Sequence, residues 1–179
     1  MATLATWCPS GGVLGIVAPL ALAAAAGDAL VVDLDPAGPR YPGLSSLAQL
    51  VESGPRLADL QPIRRGVAVL RNGGVQPEAG REVIAALIAG WPNVVFRVAV
   101  ELERSPTVPV VPLLPGTLTE KWHRAAVYQQ LGWGQKAPGP GLTLPTPPRA
   151  SVTALLEGRQ PVPNRWVAAW RRVWDMSWV

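Results

Sequence analysis

The sequence contains one cysteine and one histidine, and each scarcity closes off a class of chemistry. A lone Cys8 leaves no intramolecular disulfide. With no histidine or basic residue near it in sequence, its thiol is expected to be inert. His123 as the sole histidine argues against a zinc site of the usual ligand types. It lies beside Lys121, Trp122 and Arg124 without a serine or cysteine motif to make it a catalytic base, so it reads as a surface histidine. Charge is also scarce: 16% of residues are charged and the net charge is +4. The basic residues are scattered or gathered toward the C-terminus, so there is no strong nucleic-acid signal. The apolar stretch 13–26 is too short to span a bilayer. No basic region precedes it and Asp28 leads at once into another apolar strand, which argues against a signal peptide. The expected location is cytoplasmic, with the inner face of the membrane kept open by the C-terminal residues described below.

At 179 residues, 49% of them hydrophobic, the chain can bury one core. Residues 2–7 favour a strand, Cys8-Pro9-Ser10-Gly11-Gly12 a turn, and the alanine- and leucine-rich stretch up to Gly27 a helix. That helix is apolar on nearly every face and must lie against a sheet; Pro19 is expected to be tolerable only in its first turn. Residues 29–34 form a continuous apolar run, as in a parallel strand covered on both sides. The alternation continues with a helix over 44–52 closed by Gly54, and a strand over 66–70 ending in Asn72-Gly73-Gly74. A helix over 77–88 and a strand over 94–100 follow. Residues 108–114 read as a strand that Pro109 and Pro112 confine to an edge or to irregular backbone. Residues 119–131 read as a helix capped by Thr117 or Thr119. Prolines and glycines over 135–149 predict an extended segment poor in secondary structure, followed by short helices over 151–157 and from about 164 onward. The expected organisation is an α/β domain over 1–134 with a mostly parallel sheet flanked by helices, a Pro/Gly-rich segment over 135–150, and a helical tail over 151–179.

The most informative stretches are Ser10-Gly11-Gly12-Val13-Leu14-Gly15-Ile16-Val17 and Asp33-Leu34-Asp35-Pro36-Ala37-Gly38. Strand, glycine loop, buried helix and a strand ending in Asp-Leu-Asp-Pro together resemble the ParA/MinD type of P-loop ATPase, whose loop reads like Lys-Gly-Gly-Val-Gly-Lys-Thr. The resemblance covers mainly residues 1–43, and element order carries it more thinly to about 131. It implies a reduced P-loop NTPase-like fold with a degenerate phosphate loop at Ser10, Gly11, Gly12 and Gly15. The loop lysine would neutralise phosphate charge and the following hydroxyl would ligate magnesium; Ile16 and Val17 can do neither. One reading keeps an anion-accepting concavity of glycine amides, and the other a glycine turn demanded by tight packing. The resemblance likewise makes Asp33 and Asp35 candidate metal-side carboxylates, against the alternative that they cap the turn after the strand. Where the family ordinarily has an acidic residue at the end of a further strand, this chain has Arg97; Glu101 and Glu103 beyond it read as solvated loop charge.

Trp166, Trp170, Trp174 and Trp178 recur every four residues and would form one stripe on a helix, with Arg165 and Arg172 on the other side. The stripe could pack on the domain, dock into a partner protein or touch a membrane surface as a peripheral amphipathic helix. The expected function is a non-catalytic ParA/MinD-like scaffold or localisation protein that binds a protein partner. The resemblance extends to CpaE/TadZ-like members and so to polar-localisation, division or pilus-assembly systems. No catalytic residue, metal or cofactor is expected. The alternative is a switch that binds ATP and magnesium, homodimerises and hydrolyses slowly, which needs a cation such as Arg40 or Arg71 at the glycine loop.

Overall fold

The computed structural model describes residues 2–43, 45–56, 59, 67–102, 106–114, 123–132 and 136–178. In chain order the elements are β1 (Ala2–Trp7), α1 (Gly12–Ala26), β2 (Ala29–Asp33), α2 (Leu47–Ser53), β3 (Val67–Leu70), α3 (Arg81–Gly90) and β4 (Asn93–Arg97). They continue with β5 (Thr107–Leu113), β6 (Ala126–Gln130), β7 (Gly141–Leu144), α4 (Arg149–Leu156) and α5 (Arg165–Trp174). The strands form one seven-stranded sheet in the order β3-β2-β4-β1-β5-β6-β7, and every ladder is parallel. The chain is thus an α/β protein with a parallel sheet flanked by helices.

Side-chain alternation along each strand sends neighbouring residues to opposite faces. Leu4, Val31, Val95, Val108 and Val127 face one core, filled by α1, α4 and α5. Ala5, Leu30, Val32, Val94 and Phe96 face the other, filled by α2 and α3. A smaller cluster of Val111, Leu113, Ala126 and Tyr128 continues that second face under β5 and β6.

Four expectations change. Pro19 lies well inside α1 rather than in its first turn. It removes the hydrogen bond to the Gly15 carbonyl, at a cost of about 3 kcal/mol in an exposed helix; here Val17 through Ala25 are all buried, so apolar packing holds the helix through that gap. β5 is interior, between β1 and β6, although it carries Pro109 and Pro112. Its ladder to β1 covers Thr107 to Pro109 and its ladder to β6 covers Val110 to Leu113. The Pro106 carbonyl bonds Ala5, so even-numbered residues point toward β1 and odd-numbered ones toward β6. Pro112 therefore lacks its donor where β1 has ended, and Pro109 where the β6 ladder has not begun.

Residues 126–130 form β6 instead of the end of a helix. Ala-Val-Tyr-Gln shows no alternation because it is buried on both faces, the condition under which periodicity fails to separate strand from helix. The expected caps Thr117 and Thr119, the first helical residues 119–122 and Glu103 lie outside the described residues. The Pro/Gly-rich segment supplies β7, paired to β6.

The tail is not separate from the body. Asn164 caps α5 by accepting from the amides of Trp166 and Val167, and the helix lies across α1 in the same core. Trp166, Trp170 and Trp178 are buried, with the rings of Trp166 and Trp170 edge-on at 6.2 Å. Trp174 is half-buried and donates to the Leu22 carbonyl at 3.0 Å. The aromatic stripe is thus occupied within the domain. Buried Gln129 ties three segments together: its amide nitrogen donates to the Pro145 carbonyl at 2.7 Å and its oxygen accepts from Trp166 Nε1 at 2.8 Å.

Candidate functional site

The sequence motifs meet at the carboxyl edge of the central strands, where parallel α/β sheets place their ligands. The glycine loop follows β1. Gly11 and Gly12 have φ of 61° and 67°, a region that side-chain-bearing residues rarely adopt. The Gly11 amide is used within the turn, donating to the Cys8 carbonyl at 2.9 Å. The Cys8 sulfur lies 3.4 Å from both Ser10 Oγ and the Gly11 carbonyl oxygen.

α1 begins already at Gly12, so Gly15 lies inside the helix rather than in the loop. A Cβ at Gly15 would sit 3.3 Å from Cys8 Cβ, so close approach of helix to strand end accounts for the absence of a side chain there. Ile16 and Val17, which the sequence resemblance set against the lysine and threonine of a phosphate loop, pack against the core. Val17 is 3% exposed. The Ile16 carbonyl accepts from Tyr41 Oη at 3.0 Å, which ties the helix to the chain beyond Asp33.

Asp33 ends β2 and Arg97 ends β4, opposite each other in the ladder. Arg97 Nη1 donates to Asp33 Oδ1 at 2.8 Å and to Asp35 Oδ2 at 3.0 Å. The two candidate metal-side carboxylates therefore share one guanidinium nitrogen. Asp33 Oδ1 also accepts from the Asp35 amide at 3.1 Å, and Asp35 Oδ1 accepts from the Ala37 amide at 2.9 Å. These are the turn-capping contacts that Asp residues make two positions ahead.

Asp33 is 0% exposed. Burial pushes its carboxyl above the ordinary range, and the hydrogen bond and charge of Arg97, with the Asp35 amide, only partly offset this. Burial works against the Arg97 charge as well, but the Asp33 hydrogen bond and charge, with smaller help from Tyr41 and Asp35, leave it above its ordinary value. Burial likewise raises the Tyr41 hydroxyl. Asp33 Oδ2 and Arg97 Nε are buried without partners among the described residues. Gly38 closes over the pair: a Cβ there would collide with Asp33 Oδ2 and come 2.8 Å from Arg97 Nη1. No side chain fits at that position without displacing the ion pair.

A second cation near this edge, Arg124, pairs with Glu101 and lies 5.9 Å from the centre of the Trp7 ring. Arg40 and Arg71, the cations that a nucleotide switch would need at the glycine loop, line a different cleft, whose walls include no residue of that loop. No group of three or more metal-ligating side chains occurs among the described residues. Among those residues, too, no helix is long and apolar enough to cross a membrane.

Sequence reasoning did not anticipate that Arg97 pairs with both aspartates. The signal was its position at the end of a buried strand, where an unpaired charge is not tolerated. Asn72 was seen only as a turn residue. It is 3% exposed and donates to the Asp33 carbonyl at 3.2 Å, joining the ends of β2 and β3. No protein-family model matches the chain and no curated protein matches it.

Proposed function

We propose that the chain is a non-catalytic ParA/MinD-like scaffold that works by binding another protein. The observation that carries this reading is the pairing of two cations at the carboxyl edge of the central strands. Arg97 is held by Asp33 and Asp35, and Arg124 by Glu101 and the Trp7 ring. A nucleotide triphosphate needs unpaired positive charge and a magnesium ligand at the loop, and Ile16 and Val17 turn apolar side chains into the core instead.

The same edge exposes apolar side chains. Val13 at the start of α1 is 60% exposed and Val100 after β4 is 69% exposed, with Leu114 and Leu131 also open after β5 and β6. Apolar groups gathered at one edge suit contact with a protein surface better than with a triphosphate.

The test is a thermal-shift titration with ATP and ADP, with and without magnesium, on the natural protein and on an Ile16→Lys/Val17→Thr variant. The scaffold reading expects no magnesium-dependent shift from either. It also expects the variant to melt earlier, because both positions belong to the core. A magnesium-dependent shift in the natural protein would put the nucleotide switch in its place.

A further inference from the structure

We infer that the cleft between the β2–α2 connection and the turn after β3 is a binding site for a small phosphoryl-bearing anion. The cleft holds about 530 Å³ and is walled by Pro36 and residues 38–40 on one side, and by the start of α2 and residues 71–74 on the other. That volume falls in the range of small-molecule sites, and the place, outside the carboxyl ends of β2 and β3, is where open α/β sheets receive ligands. The inference does not depend on the scaffold reading.

Charge and hydrogen-bond polarity both point to an anion. The lining holds two arginines, Arg40 and Arg71, and no acidic residue. Neither arginine is ion-paired among the described residues, in contrast to Arg97 and Arg124. Arg40 is exposed and Arg71 half-buried, so both forks can turn to a bound oxyanion.

The side-chain amide oxygens and two of the carbonyls along the walls are already used. Asn72 Oδ1 accepts from the amides of Gly74 and Val75 at 2.8 and 2.7 Å. Gln49 Oε1 accepts from the Ser46 amide at 2.9 Å. The carbonyls of Arg71 and Asn72 accept from Leu47 and Ala48 at 2.8 and 3.0 Å. Four donor groups are free, namely the two guanidinium groups, the Gln49 amide nitrogen and the Gly73 amide, none of which has a partner among the described residues. Gly73 also fixes the wall, since a Cβ there would sit 2.9 Å from Ser46 Oγ.

The test uses the full chain without magnesium at constant ionic strength. Inorganic phosphate is titrated in one arm and a nucleoside monophosphate in the other, both read by thermal shift and calorimetry. Saturable binding is expected, weakened about tenfold in Arg71→Gln and in Arg40→Gln and partly kept in Arg71→Lys. Tighter binding of the monophosphate would mark an organic phosphate as the ligand, and equal binding the free ion; either supports the site. Should Arg71→Gln fail to fold, exposed Arg40→Gln decides the question. Absence of saturation, or equal affinity in the natural protein and Arg40→Gln, overturns the inference. Because this binding needs no magnesium, it is separable from nucleotide binding at the glycine loop.

Discussion

On the α1–α5 side of the sheet, large apolar rings fill the core and nearly every buried donor is answered. Trp166 donates to Gln129, Trp174 to Leu22 and Trp178 to Val173, leaving Trp170 Nε1 as the exception among the indoles. At the carboxyl edge of β2 and β4, the buried groups are charged and only partly answered: Asp33 Oδ2 and Arg97 Nε have no described partner. Apolar burial with satisfied donors is cheap to maintain, whereas a buried ion pair must overcome desolvation of both partners. The first region is thus built for stability. The second holds a costly arrangement at the edge where parallel α/β sheets place their ligands.

That contrast should show in stability. The largest effect is expected from Trp170→Ala, which empties a site that is 0% exposed and should cost about 4 kcal/mol in urea unfolding. A loss below about 1 kcal/mol would mean that the tail does not hold the core together. Next comes Arg97→Met, which strands the Asp33 carboxylate in the interior and should cost about 3 kcal/mol. The double change Asp33→Leu/Arg97→Met should recover much of that, because the fully buried carboxylate is gone and the one left without Arg97, that of Asp35, still reaches solvent. Equal losses in single and double variants would mean that the pair is a net stabiliser and would erase the comparison. Gly38→Ala should cost about 2 kcal/mol through the collision with Asp33, and a crystal structure of the variant should show the ion pair displaced.

The smallest effect is on pH. Burial holds the Asp33 carboxyl above its unfolded value of 3.8, so the folded protein binds that proton more tightly than the unfolded chain does. The resulting stabilisation is complete below the unfolded value and is lost as pH rises through the folded one. Urea melts across the acidic range should show this slope in the natural protein and its absence from Asp33→Asn.

How much of this was legible follows physical lines. β1, α1 and β2 were readable because continuous apolar runs bounded by glycine and aspartate admit few alternatives. β6 was not, since Ala-Val-Tyr-Gln buried on both faces carries no period. The sequence confines β5 to an edge or to irregular backbone because proline usually excludes the interior; the handover of its pairing from β1 to β6, which accommodates Pro109 and Pro112, is a tertiary fact. At the site, Asp33 and Asp35 stood out in sequence. Their cation did not, because Arg97 is 64 residues from Asp33 and only the β2–β4 ladder brings them together.

The proposal of a non-catalytic scaffold holds that the charge at this edge is turned inward and serves no metal-bound nucleotide. Isothermal calorimetry of the natural protein with magnesium and ATP tests it most directly, with the Arg40→Gln protein as the control that removes anion binding in the neighbouring cleft. The account predicts no magnesium-dependent heat in either protein. Saturable, magnesium-dependent binding that survives Arg40→Gln would contradict it.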